Sequence, residues 1–136
     1  MKPKIPFLIF ETTSNCNLNC RYCYNIHKRP GCKDPELNSY KLAKKTLARI
    51  FKIAEVGNVT MTGGEPFLAE RFSELVLFCR LKGKTVTIIS NGYTAEREDY
   101  ADMIDLGVSL FEIPFHSPEP KAHDAMTRVA GSWSAA

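Results

Sequence analysis

The 136-residue chain has little of three features that would narrow its function at once: charge of one sign, long hydrophobic runs and paired cysteines. Its formal net charge is only +3, with basic and acidic residues intermixed, which argues against a nucleic-acid partner. The apolar stretch near the N-terminus is short and holds two prolines, so it indicates neither a secretion signal nor a membrane span. Five cysteines, an odd number, do not suit a disulfide framework. We therefore expect one cytoplasmic domain with reduced thiols.

Three cysteines, Cys16, Cys20 and Cys23, lie within eight residues. Such compact spacing in a reduced chain indicates ligation of a metal or a cluster. A [4Fe–4S] cluster normally takes four thiolates, so three would leave one iron open for another ligand. An open coordination position is typical of a catalytic site rather than a structural one. At this point a zinc knuckle with His27 as fourth ligand is the alternative.

Hydrophobic patterns predict alternating strands and helices. We expect strands over residues 6–12, 58–62, 85–89 and 108–115, and helices over residues 42–54, 69–82 and 95–106. The continuous apolar character of the first run predicts a parallel strand covered on both faces. Ser39 and Gly57 are the predicted caps of the first helix, whose basic residues form a solvated face or bind an acidic partner. Cys79 is predicted to belong to the core. In the third helix, the residues predicted to point inward are Tyr100, Ala101, Met103, Ile104 and Leu106.

The second predicted strand runs into Gly63-Gly64-Glu65-Pro66. Together with the Cys-x3-Cys-x2-Cys run and the aromatic Tyr22 before its last cysteine, this segment resembles the signature of the radical S-adenosylmethionine (radical SAM) enzymes. The resemblance implies that Cys16, Cys20 and Cys23 hold a [4Fe–4S] cluster and that Tyr22 lies near the adenine of S-adenosylmethionine. It also implies that residues 63–66 align the methionine end, with Glu65 accepting from its ammonium group. Two motifs in this order disfavour the zinc knuckle.

Further segments resemble the same family. Ser90-Asn91-Gly92, after the third strand, is similar to its Thr/Ser-Asn-Gly turn and would bind the cofactor; a turn that needs Asn and Gly for backbone reasons is the alternative. Where many members have Ser-Leu-Asp-Gly after the fourth strand, this chain has residues 114–117, and Ser117 is the substitute for the ribose contact. Arg128 pairs with the cofactor carboxylate or lies at the surface.

The stretch from residue 123 to residue 133 resembles the corresponding region of peptide- and sulfatase-maturing members. It holds His123-Asp124, then a basic residue, then Gly-Ser-aromatic. His123 and Asp124 are interpreted as a base with its orienting partner or, alternatively, as a capping pair at the start of the next helix. Cys32 is a spectator thiol or a fourth cluster ligand.

The resemblance implies an α/β fold, a partial (βα) barrel of six units with a parallel sheet. About four units are present, so we expect residues 1–136 to be the N-terminal portion of the domain, ending where a fourth helix begins. The implied activity is reductive cleavage of S-adenosylmethionine to a 5′-deoxyadenosyl radical that abstracts hydrogen from a substrate, here a peptide or protein. An electron donor such as flavodoxin or ferredoxin is the implied partner. A non-catalytic metal-binding module is the alternative function.

Overall fold

The computed structural model describes residues 1–25, 39–93 and 95–136 and has the predicted α/β architecture. Within these residues a parallel sheet has the strand order β1-β2-β3-β4. The strands are β1 (Lys4–Thr13), β2 (Glu55–Gly63), β3 (Thr85–Ile89) and β4 (Leu110–Glu112); the helices are α1 (Tyr40–Ile53), α2 (Phe72–Leu81), α3 (Arg97–Asp105), α4 (Pro120–Thr127) and α5 (Ser132–Ala135). A 3-10 turn, Pro66–Leu68, lies between β2 and α2. No helix in these ranges is long and apolar enough to cross a membrane.

The register of the parallel strands determines where the motifs meet. Thr13 at the end of β1 pairs with Gly63 at the end of β2. Further along the sheet, Met61 pairs with Ile88, and Ile89 pairs with Glu112. Because the carboxyl ends of parallel strands lie at one edge, the loops that follow β1, β2, β3 and β4 project from the same side. This edge carries all the predicted motifs.

The core lies between one face of the sheet and the helices. Val59, Met61, Val86 and Ile88 of the strands are fully buried there. Cys79 of α2 belongs to this core, as predicted, and burial raises its thiol pKa to about 12. The remaining core residues are contributed mainly by α1, α2 and α3 and include Leu47, Phe72, Leu75, Val76 and Met103.

The first strand is not covered on both faces by the described residues. Ile5, Leu8 and Phe10 pack against the core, whereas Phe7 and Ile9 are 75% and 69% exposed. The continuous apolar run of β1 therefore supplies side chains to both faces of the sheet. Leu8 and Phe10 pack under the helices, and Phe7 and Ile9, which alternate with them, are on the exposed face.

Several predicted boundaries needed correction. Ser39 caps α1, since its side chain accepts from the Leu42 N–H at 3.3 Å, as predicted. Gly57 is not a helix cap, because α1 ends at Ile53 and the chain enters β2 at once. A Cβ at Gly57 would lie 2.9 Å from the Pro6 carbonyl oxygen, so the glycine serves close pairing of β1 and β2.

Other corrections concern the last third of the chain. Of the α3 residues predicted to point inward, Met103 is buried and Tyr100 half-buried, whereas Ala101 and Ile104 are exposed. Tyr100 packs edge-on against Phe111, with ring centroids 5.3 Å apart. The fourth helix, expected to begin where the chain ends, is already formed as α4, and α5 follows it. Strand β4 exists but has only three residues.

Candidate cofactor site

The three motif cysteines lie on the loop that follows β1. Cys16, Cys20 and Cys23 are half-buried, unpaired thiols. Two backbone bonds fasten this loop to the C-terminal end of α4: Asn19 N–H donates to the Thr127 carbonyl at 3.2 Å, and Arg21 N–H to the Met126 carbonyl at 2.9 Å. The end of α4 therefore helps to hold the cysteine loop in place.

Tyr22, between the second and third cysteines in sequence, interacts electrostatically with all three. Burial raises the pKa of its hydroxyl, and a hydrogen bond to Cys20 and the charges of Cys20, Cys23 and Cys16 raise it further. No three His, Cys, Asp or Glu side chains of the described ranges lie close enough together for a single metal ion. A [4Fe–4S] cluster binds each thiolate through a different iron, so its ligands stand further apart than those of one ion. Three thiols on one loop thus fit, in number and kind of donor, a cluster that leaves one iron open. His27 and Cys32, the other predicted ligands, lie outside the described residues.

The close approach of the cysteine loop requires two glycines at the end of β2, Gly63 as its last residue and Gly64 directly after it. Gly63 has φ +126°, and a Cβ on it would overlap the Thr13 carbonyl oxygen. A Cβ on Gly64 would overlap the carbonyl oxygen of Asn15. The backbones are joined there, since Gly64 N–H donates to the Thr13 carbonyl and Glu65 N–H to the Asn15 carbonyl, both at 2.7 Å. In the structure, therefore, the segment that comes close to these glycines is the cysteine loop.

Glu65 is fully buried and joins the loops after β2 and β3. Its Oε1 accepts from the Ser90 hydroxyl at 3.0 Å and from the Phe67 N–H at 3.3 Å. Its Oε2 accepts from the Asn91 N–H at 2.8 Å. Desolvation raises the pKa of this carboxyl, and the three hydrogen bonds oppose the rise. The contact of Glu65 with a cofactor ammonium stays a prediction; the observed contacts are within the protein. Pro66 is buried beside it as the first residue of the 3-10 turn.

Asn91 connects this network to the cysteine loop. Its side-chain Nδ2 lies 2.8 Å from Asn17 Oδ1 and 3.8 Å from the Cys16 sulfur. Its Oδ1 accepts from the Tyr93 N–H at 2.8 Å, as the turn interpretation requires. Ser90 is almost completely buried, and its Oγ accepts from the Gly92 N–H at 3.1 Å. The turn therefore has both a backbone role and a contact with a predicted cluster ligand.

A second connection crosses from the cysteine loop to the end of β4. The Tyr22 hydroxyl and His116 Nε2 are hydrogen-bonded, and the two rings meet edge-on. The backbone N–H of His116 lies 3.3 Å from Nδ1 of the buried His123. Burial, and to a smaller extent His123, lower the pKa of His116. His116 was not predicted as a site residue, because nothing local in the sequence signals a partner 94 residues away.

The remaining predicted site residues, Ser117 and Arg128, lie at the two opposite ends of α4. The hydroxyl of Ser117 accepts from the Glu119 N–H at 3.0 Å, just before the helix. Arg128 is exposed and ends α4 in the left-handed conformation, with φ 58°. It follows Thr127, whose carbonyl holds the cysteine loop. Contacts of these two side chains with a cofactor stay predictions.

His123 and Asp124 lie inside α4, so they do not start a helix. Asp124 accepts from the Gly131 N–H at 2.7 Å, the Trp133 N–H at 2.9 Å and the Ser132 hydroxyl at 3.0 Å. The two backbone bonds are the main cause of its lowered pKa. The Gly-Ser-aromatic sequence thus forms the start of α5, capped by Asp124 from the preceding helix. Capping is the observed role, although at a different helix from the one predicted.

Parallel βα units with a three-cysteine loop at the carboxyl edge define an α/β protein of the partial-barrel class, with a candidate cofactor site at that edge. The family model for the radical SAM superfamily matches residues 10–135. The chain belongs to the radical SAM superfamily.

Individual relatives have varied activities. The chain is 27% identical over 137 residues to the Fe-coproporphyrin III synthase of Methanosarcina barkeri, covering 99% of this chain and 33% of that protein. It is 32% identical over 113 residues to the S-adenosylmethionine-dependent nucleotide dehydratase of Flammeovirga pacifica, covering 76% and 38%. The fold is similar to that of Streptococcus suis SuiB bound to its precursor peptide SuiA, with a TM-score of 0.72, 16% identity and coverage of 98% and 29%. The chain thus spans about a third of the length of these curated relatives.

Proposed function

We propose that this chain forms the cluster- and S-adenosylmethionine-binding part of a radical SAM enzyme. The observation that carries the proposal is the hydrogen-bonded connection between three motif segments that are far apart in sequence. Glu65 bonds to the turn at Ser90 and Asn91, and Asn91 bonds to the cysteine loop at Asn17 and Cys16. A structural zinc site gives no reason for such a connection to a Gly-Gly-Glu-Pro segment.

Each part of the site has a task in this proposal. Cys16, Cys20 and Cys23 ligate the [4Fe–4S] cluster, which when bound supplies the electron for cleavage of S-adenosylmethionine to methionine and a 5′-deoxyadenosyl radical. Residues 63–66 align the methionine end of the cofactor, and Tyr22 lies beside its adenine. Ser117 contacts the ribose and Arg128 the carboxylate.

Two partners complete the proposal. An electron donor of the flavodoxin or ferredoxin type reduces the cluster. The hydrogen donor is a peptide or protein, as suggested by the order of residues 123–133 and by the precursor peptide bound to the similarly folded SuiB. Because Asp124 and Ser132 account for that order through helix capping, the support from residues 123–133 is weaker than their sequence resemblance alone indicated.

The test is anaerobic reconstitution with iron and sulfide, followed by metal analysis and electron spin resonance. We expect a brown protein with four irons per chain, and loss of the stable cluster in each of Cys16→Ala, Cys20→Ala and Cys23→Ala. Cys79→Ala is the matched control, since this thiol is buried in the core and should not affect the iron content. A colourless protein with one zinc, or full iron in Cys20→Ala, would refute the assignment.

A second measurement addresses the cofactor. Addition of S-adenosylmethionine should change the spin-resonance signal of the reduced cluster in the wild-type protein, because the cofactor binds the open iron. Arg128→Ala should require a higher concentration for the same change, while its iron content stays at the wild-type value. An identical response in the two proteins would remove Arg128 from the site.

A further inference from the structure

The side-chain amide of Asn91 has a fixed orientation. Its Oδ1 accepts from the Tyr93 N–H at 2.8 Å, and a backbone N–H can only donate. The oxygen must therefore face Tyr93, and the NH₂ group must face the cysteine loop. The orientation thus follows from the hydrogen-bond partners rather than from a choice between two equivalent placements.

The two hydrogens of this NH₂ group have two acceptors. Asn17 Oδ1 lies 2.8 Å from Nδ2, and Cys16 Sγ lies 3.8 Å from it, within reach of a hydrogen bond to sulfur. The backbone of Asn91 is held independently, because its N–H donates to Oε2 of the buried Glu65 at 2.8 Å. Hydrogen bonds to the side-chain oxygen and from the backbone N–H of Asn91 thus both hold its NH₂ group in position.

We propose that Asn91 is a positioning residue that donates a hydrogen bond to the Cys16 thiolate and thereby raises the reduction potential of the cluster. Reduction adds negative charge to a cluster, and a donor aimed at a ligating sulfur stabilises that charge. Glu65 acts one step further away, because its carboxylate holds the Asn91 backbone in place. The inference rests on the proposed assignment of Cys16 as a cluster ligand.

Two variants remove the hydrogen bond from Asn91 to Cys16 and differ in what else they change. Asn91→Leu removes the donor without adding charge. Asn91→Asp also removes the donor but keeps an oxygen for the Tyr93 N–H, so the turn is retained. Thr87→Val is the matched control: Thr87 is a buried residue of β3 whose hydroxyl donates to Asn58 Oδ1 at 3.3 Å, away from the cysteine loop.

The measurement is the midpoint potential of the reconstituted protein, from an anaerobic redox titration followed by electron spin resonance without S-adenosylmethionine. We expect a more negative midpoint in both Asn91 variants, with Asn91→Asp shifted further because of its charge, and the wild-type value in Thr87→Val. A wild-type midpoint in iron-replete Asn91→Leu overturns the inference. If Asn91→Leu loses its iron, a wild-type midpoint potential in Asn91→Asp overturns the inference.

The failure of this inference differs from the failure of the proposed function. A normal cluster with unchanged potentials in the Asn91 variants removes only the role of Asn91. A wild-type protein that assembles no cluster, or a Cys16→Ala protein that keeps a stable one, overturns both.

Discussion

Replacing Glu65 tests whether the buried carboxylate holds the candidate site together. Its two oxygens accept from two backbone N–H groups, those of Phe67 and Asn91, and from the hydroxyl of Ser90. In Glu65→Gln, the amide oxygen placed at the Oε1 position keeps the bonds from Phe67 and Ser90. The amide NH₂ then meets the Asn91 N–H, so one donor faces another.

The cost follows from the number of unsatisfied donors. One buried donor without a partner costs about 1–3 kcal/mol, which is the expected loss of unfolding free energy in Glu65→Gln. Glu65→Ala leaves two backbone N–H groups without an acceptor, while the Ser90 hydroxyl still has Tyr100 within 3.3 Å. At about 1–3 kcal/mol for each of the two donors, we expect a loss of about 2–6 kcal/mol in this variant.

The assay is urea denaturation of the metal-free, reduced protein, followed by circular dichroism. Glu74→Gln is the control, because Glu74 is an exposed carboxylate paired with Arg71 on α2, and its loss should have almost no effect. If both Glu65 variants unfold at the wild-type urea concentration, the carboxylate does not hold the loops and the reasoning is wrong.

The pH dependence gives an independent check. Burial raises the folded-state pKa of Glu65 above its usual value of 4.5, so folding favours the protonated form. The contribution of this group to stability is therefore largest below about pH 4.5 and falls as the pH rises through the folded-state pKa. The stability of the wild type relative to Glu65→Gln should fall over that range. A rise would show that hydrogen bonds to the ionised form outweigh desolvation.

Three other predictions follow from the loops and the open sheet. Gly64→Val should lower the iron content on reconstitution, because its side chain would overlap the Asn15 backbone; Gly83→Ala, with nothing within 4 Å of the added Cβ, should keep full iron. Arg128→Gly should raise the unfolding free energy measured in urea by about 1 kcal/mol, because glycine adopts the left-handed conformation without the strain of a side chain. A lower unfolding free energy would show that the Arg128 side chain makes stabilising contacts. Strand β4 is an edge of the described sheet and Leu110 on it is 51% exposed, so we expect the chain to self-associate through this edge. Leu110→Lys should therefore reduce self-association in sedimentation velocity; an unchanged distribution would contradict this contact.

Local sequence patterns determined the elements and the donor chemistry. Strand β3 has the predicted bounds, Ser39 caps α1 as predicted, and Cys79 lies in the core. These features depend on residues a few positions apart in the chain, such as a cap and the N–H group three residues after it. The local sequence is therefore enough to predict them. The spacing of the cysteines likewise indicates a cluster loop without any knowledge of the fold.

Only the tertiary structure decided which segments touch. Gly64 was predicted from its motif to help align the methionine end of the cofactor, and that role stays a prediction. Only the structure shows that a side chain there would overlap Asn15, 49 residues earlier in the chain. Tyr22 meets His116 and Glu65 meets Asn91 across separations of 94 and 26 residues. Such contacts depend on strand register and on the order of strands in the sheet, and these are set by packing of the whole core rather than by local preference. The sequence therefore determined the chemistry available at the carboxyl edge, and the packing of the βα units determined its geometry.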